Sequence, residues 1–128
     1  MISDTSNYLF FYGSLKQAYP TQDQLGIRTA IRFVSEVQTQ GDLYDLGAYP
    51  AMVHGDGIVY GELYELADEQ ALPILDEYEG FDPDAPASSL YVRELLACGE
   101  RLAWVYIFQG DLLLEERLVT GIWPKELA

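Results

Sequence analysis

The sequence predicts an α+β domain whose sheet curls into a barrel, and three observations lead there. Most of the chain reads as short segments rich in aromatic and branched apolar residues, separated by Gly and Pro. Only one stretch, Asp68 to Glu79, carries a strong helical pattern. The 128 residues, 49% of them hydrophobic, are enough for one core without disulfides or a structural metal. A single domain over residues 1–128 is therefore expected.

Charge and rare residues narrow the function. Seven Lys and Arg against 21 Asp and Glu leave a net charge of −14, a field that repels phosphates and anionic membranes. Neither nucleic acid nor membrane is an expected partner. The abundant aromatic residues argue against disorder despite that charge. One cysteine, Cys98, excludes an intrachain disulfide and a thiolate metal cage, and one histidine, His54, excludes a multi-histidine metal site. No segment approaches the roughly 20 apolar residues of a membrane span, and the first seven residues lack a basic, then apolar, leader pattern. A soluble, cytoplasmic protein is the expectation.

Taken in order, Tyr8 to Tyr12 is a short apolar run typical of a buried strand, broken by Gly13. Thr21 to Ala30 is weakly helical. Ile31 to Val37 alternates as a strand does, with Val34 as the exception, and Gly41 to Leu46 follows before the turn residues Gly47, Ala48, Tyr49 and Pro50. Ile58 to Leu66 is the clearest strand. Its central Gly61 predicts a bulge or the close approach of another group. In the helix over Asp68 to Glu79, Asp68 is the expected N-cap and Gly80 the stop, while Pro73 allows two shorter pieces. Phe81 to Ser89 is a loop. Tyr91 to Cys98 and Arg101 to Gln109 form a hairpin turning at Gly99 and Glu100. Asp111 to Ala128 is ambiguous between helix and strand.

Chemistry is sought first in the acids of the helix. Ile74, Leu75 and Tyr78 define an apolar face that leaves Asp76 and Glu77 toward water. Glu79, four residues after Leu75, falls at the edge of that stripe, at the negative helix end and near two other acids. All three effects raise its pKa toward the range of a general acid/base. In the Tyr12-Gly13-Ser14-Leu15 turn, Gly13 would let the backbone approach a ligand, with successive N–H groups forming an anion-binding nest. Ser14 would add a hydroxyl and Lys16 a nearby positive charge. Tyr91 and Arg93 share one strand face, where the Arg suits either a substrate carboxylate or a cross-strand ion pair. His54 reads as a loop residue and Cys98 as core.

Together these segments resemble the γ-glutamylcyclotransferase-like, or AIG2-like, family. The resemblance is carried by "FFYGSLK" at 10–16, "GDLYDLGAYPAMV" at 41–53, "VYGELYEL" at 59–66, "LDEYEGFDP" at 75–83, "LYVRELL" at 90–96 and "AWVYIF" at 103–108. No one of these is specific, but six in order span nearly the whole chain. Ala18 departs from a common glycine and "GIWP" at 121–124 from a usual Gly-Asp-Trp, which bears on substrate choice. The resemblance implies a mixed sheet curled into a small barrel with few flanking helices. It places the catalytic glutamate at Glu79 and a substrate pocket at Tyr12, Gly13, Ser14 and Leu15, with Tyr91 and Arg93 as further binding residues. The implied reaction needs no cofactor. The α-amine of a small γ-glutamyl substrate attacks its own γ-carbonyl, closing 5-oxoproline and expelling the amine. Two alternatives stand beside it: a non-catalytic carboxylate-binding module on the same fold, and a γ-glutamyl amide hydrolase.

Overall fold

The computed structural model describes residues 7–112 and 116–123. Five strands close a barrel in the order β1-β3-β2-β4-β5: β1 (Tyr8–Phe11), β2 (Ile31–Asp45), β3 (Pro50–Leu66), β4 (Tyr91–Cys98) and β5 (Arg101–Phe108). Neighbours are antiparallel except β1 and β5, which meet in parallel at Leu9 and Trp104 and make the sheet mixed. The helices are α1 (Thr21–Gln24), a single turn, and α2 (Ala71–Glu79). The expected barrel with few helices is the fold observed.

Strand pairing joins what looked like separate pieces. Ile31 to Asp45 is one strand with register shifts between Phe33 and Ser35 and between Gln40 and Asp42. Val34, the break in the alternation, sits in the first of these irregularities, where an extra residue changes which side chains face inward. Similarly β3 begins at Pro50, so His54 lies in a strand rather than a loop; its Nε2 pairs with Glu94 Oε1 at 2.8 Å. The turn between β2 and β3 falls at 46–49, one residue before the expected 47–50 because Pro50 already pairs with Asp45, while the β4–β5 turn falls at Gly99 and Glu100 as expected.

Helix α2 starts at Ala71, three residues later than the sequence suggests, and Asp68 instead accepts a hydrogen bond from the Gln70 N–H. Pro73 does not divide it. In the first turn its missing N–H has no intrahelical acceptor to lose. Gly80 ends it in the left-handed region at φ 72°, a conformation glycine adopts without Cβ strain. The loop at 81–89 holds a short 3-10 turn, Pro86–Ser88.

Alternation along the strands builds two cores. Phe10, Leu43, Met52, Val59, Leu63, Cys98 and Val105 pack together between all five strands. Leu9, Phe11, Tyr64, Tyr91 and Tyr106 form the second, under Leu75 and Ala71 of α2. Gly61 serves the close approach expected of it, since a Cβ there would strike the Phe11 carbonyl oxygen and the Phe10 ring. No helix among the described residues is long and apolar enough to cross a membrane. The opening segment, read above for a leader pattern, lies outside the described residues apart from Asn7, as do 113–115 and 124–128 of the ambiguous tail. The described part of that tail contributes one isolated bridge, Tyr44 to Arg117.

Candidate active site

A cavity of about 380 Å³ opens where β1 runs out between α2 and the β2–β3 turn. Strand β1 continues into Tyr12, whose hydroxyl donates to the Tyr106 carbonyl at 2.6 Å and ties the turn to β5. The turn then closes with Lys16 N–H on the Gly13 carbonyl at 3.1 Å. Gly13 is needed for packing: a Cβ would lie 2.6 Å from Pro50 Cγ. Among the described residues, the N–H groups of Gly13, Ser14 and Leu15 have no partner. All three residues line the cavity, and unpaired donors in a recess favour an anion.

Glu79 lines the same cavity from the last turn of α2. Protein encloses its carboxyl although the residue keeps partial exposure through the opening. No described group hydrogen-bonds that carboxyl. Burial therefore acts unopposed and pushes its pKa up from 4.5 to about 8. The neighbouring acids are not the cause. Glu77 is exposed, and Asp76 is neutralised elsewhere.

Asp76 is the largest correction to the sequence reading. It is buried rather than turned to water, at 5% exposure, because its carboxylate receives Arg93 Nε at 2.8 Å, Arg93 Nη2 at 3.1 Å and the Tyr106 hydroxyl at 2.6 Å. The apolar face is rotated accordingly: Ile74 and Tyr78 are exposed, while Ala71, Leu75 and Asp76 are buried. A short helix of nine residues carries too few apolar positions to fix its own rotation, and the paired acid decides it.

The same bond places Arg93 outside the cavity lining. It stacks over Trp104 at 4.5 Å and Phe81 at 5.6 Å, spending its guanidinium on Asp76 rather than on a ligand. The ion pair runs from strand to helix, not across strands. Tyr91 does line the cavity, with its hydroxyl donated to the Pro50 carbonyl at 2.7 Å. Ser14 meets the Tyr78 hydroxyl at 2.6 Å. Lys16 points away, donating to the Trp123 carbonyl at 2.8 Å beside a second recess, and burial lowers its pKa. Cys98 is core, fully buried, as expected.

Tyr106, Tyr49, Pro50, Tyr78 and Leu90 also line the cavity, and the sequence reading passed over them. For Tyr106 a signal existed: in β5 it has the opposite parity to Val105 and Ile107, which fill the other core. Burial raises the pKa of Tyr12, Tyr91 and Tyr106 well above 10, and the Glu79 charge adds to each. With these phenols held neutral, Glu79 is a lining group whose charge changes near neutral pH. Among the described residues no cluster of three or more His, Cys, Asp or Glu is placed to hold a metal ion.

Comparison with known proteins agrees with the fold and the motifs. The family model described as gamma-glutamyl cyclotransferase, AIG2-like, matches residues 9–125. A protein of Vibrio cholerae serotype O1, provisionally named gamma-glutamylcyclotransferase, is 34% identical over 119 residues, covering 93% of this chain and 96% of its own. The gamma-L-glutamyl-butirosin B gamma-glutamyl cyclotransferase of Niallia circulans is 28% identical over 116 residues, 85% of this chain and 71% of its own. The solution structure of the ytfP protein of Escherichia coli superimposes with a TM-score of 0.70 at 27% identity, over 93% of this chain and 97% of that one. With a family match over almost its whole length, the chain belongs to the gamma-glutamyl cyclotransferase, AIG2-like family.

Proposed function

We propose that the protein releases 5-oxoproline from a small γ-glutamyl amide, with Glu79 as the general acid/base. One observation carries the reading: among the described residues, a carboxyl without a hydrogen-bond partner, its pKa raised to about 8, shares a cavity with three residues whose backbone N–H groups also lack one. The glutamyl head group brings an amine, a carboxylate and a γ-carbonyl, and the cavity offers a base and anion donors to match them. The ionised Glu79 takes a proton from the α-amine as its nitrogen attacks the γ-carbonyl. A new C–N bond closes the five-membered ring. The bond to the leaving nitrogen then breaks as Glu79 returns the proton to it, so one group serves both transfers. The N–H groups of Gly13, Ser14 and Leu15 hold the α-carboxylate or the oxyanion. Holding amine against carbonyl supplies much of the remaining acceleration.

The test is a panel of γ-glutamyl amides with chromatographic detection of 5-oxoproline, run beside Glu79→Gln. The wild-type protein should release 5-oxoproline from at least one member of the panel. The variant should stay folded, bind product and lose about 10²–10⁴-fold in turnover. Near-normal turnover by the variant would refute the assigned role. Free glutamate in place of 5-oxoproline would identify a hydrolase, and binding without turnover a binding module.

A further inference from the structure

The cavity that holds Glu79 carries no positive side chain among the described residues. Its charged lining groups are Glu77 and Glu79. Arg93 is committed to Asp76, and Lys16 to the Trp123 carbonyl at a different recess. At the opening the chemistry changes from backbone donors to exposed apolar surface. Tyr49, Tyr78 and Leu90 line the cavity yet remain 40%, 43% and 46% exposed. Large apolar side chains gathered around one opening mark a contact surface. The Tyr78 ring is held there by its hydroxyl on Ser14, and exposed Glu77 stands beside it in α2.

From this arrangement we infer the class of leaving group. The site is built for the γ-glutamyl amide of an aromatic amine that bears no carboxylate, in preference to a γ-glutamyl amino acid or peptide. The inference rests on the cyclotransferase reading to place the glutamyl head group at the 13–15 turn. Whether those unpaired N–H donors hold the α-carboxylate or the oxyanion, the glutamyl head group itself uses them, and they are not free for a second carboxylate. A γ-glutamyl amino acid adds a second carboxylate one carbon from the scissile nitrogen, on the side that faces the opening. There it meets Glu77, no cation among the described residues, and the field of a chain with net charge −14. Placing like charges together this way is a strong means of rejecting a partner. An aromatic amine offers instead a flat ring for Tyr49, Tyr78 and Leu90, which gains both burial and ring–ring contact.

A matched pair of substrates tests this. γ-Glutamylphenethylamine and γ-glutamylphenylalanine share the ring and differ by one carboxylate. We expect kcat/KM to favour the first by about tenfold or more, the size a single like-charge contact can supply. Glu77→Lys should narrow that ratio by accelerating the phenylalanine conjugate. Tyr78→Ala should raise KM for γ-glutamylphenethylamine by a larger factor than it raises KM for γ-glutamylmethylamine. Calorimetric binding of both conjugates to Glu79→Gln reads the same discrimination without turnover. Preferential binding of the amine conjugate with no 5-oxoproline from either conjugate or from any member of the γ-glutamyl panel would refute the cyclotransferase reading and uphold the charge discrimination. Equal kcat/KM and equal affinity, or a preference for the phenylalanine conjugate, would overturn the inference while leaving that reading intact.

Discussion

Glu79 shows what burial without a partner does to a carboxyl. Its folded-state pKa of about 8 lies above the unfolded value of 4.5, so the native protein holds a proton the unfolded chain has lost. Between those values the unfolded state binds fewer protons, and stability falls as pH rises. The contribution of the neutral acid is fully present below about pH 4.5 and lost by the time the pH passes 8. Glu79→Gln removes this dependence. Urea denaturation of the variant and wild type should therefore diverge progressively from pH 5 to 8, the variant becoming the more stable by on the order of 3 kcal/mol. In the proposed reaction the same ionisation would supply the base, so kcat/KM should rise with pH through an inflection near 8 that the Gln variant lacks. The candidate acid was legible in the sequence because the Leu75-to-Glu79 spacing places it at the edge of the buried stripe. The cause of its shift was not, because enclosure by the β1 and β2–β3 turns is invisible in a helical period.

At the scale of elements, α2 depends on Asp76. Arg93 and Asp76 side chains are only 15% and 7% exposed, and the pair joins the helix to β4 while the Tyr106 hydroxyl joins it to β5. Asp76→Asn leaves the guanidinium buried without its counter-charge, and removing one partner of such a pair costs about 3–5 kcal/mol. A fall of that size in denaturant stability is expected, with Arg93→Met showing a comparable loss and the double variant less than the sum. Asp76 also stands one turn before Glu79, so whatever rotates the helix displaces the candidate catalytic group. Helical periodicity alone assigned Asp76 to solvent. It could not do otherwise, since a pattern of apolar residues has no means of representing an acid held inside by an arginine on another strand. Strand pairs fared better: the β4–β5 hairpin is local, and its Gly99 turn and alternation are self-contained.

Across the whole molecule, closure of the barrel brings the turn at 12–15, Pro50, Glu79, Tyr91 and Tyr106 to one cavity. Gly61 is a pressure point in that closure, because β3 passes the end of β1 without room for a methyl group. Gly61→Ala should push Phe11 and the following turn outward, costing about 1–3 kcal/mol by overpacking. Thermal unfolding should show a lowered midpoint, together with weaker γ-glutamyl substrate binding, since Tyr12 and Gly13 follow directly on the displaced strand.

The amino-acid sequence by itself determined the class of fold, the strand-rich organisation, the glycine that admits a neighbouring strand, and the acid on the edge of a buried helix face. Each is a local matter of period, turn chemistry or spacing, complete within a few residues of chain. Only the tertiary structure decided that Asp76 is buried and Arg93 is its partner. It also decided that Lys16 serves another recess and that the described residues wall the cavity with aromatic rings and no cation. Those outcomes turn on which charges meet after closure, and partners far apart in the chain become neighbours only when the barrel brings their strands together.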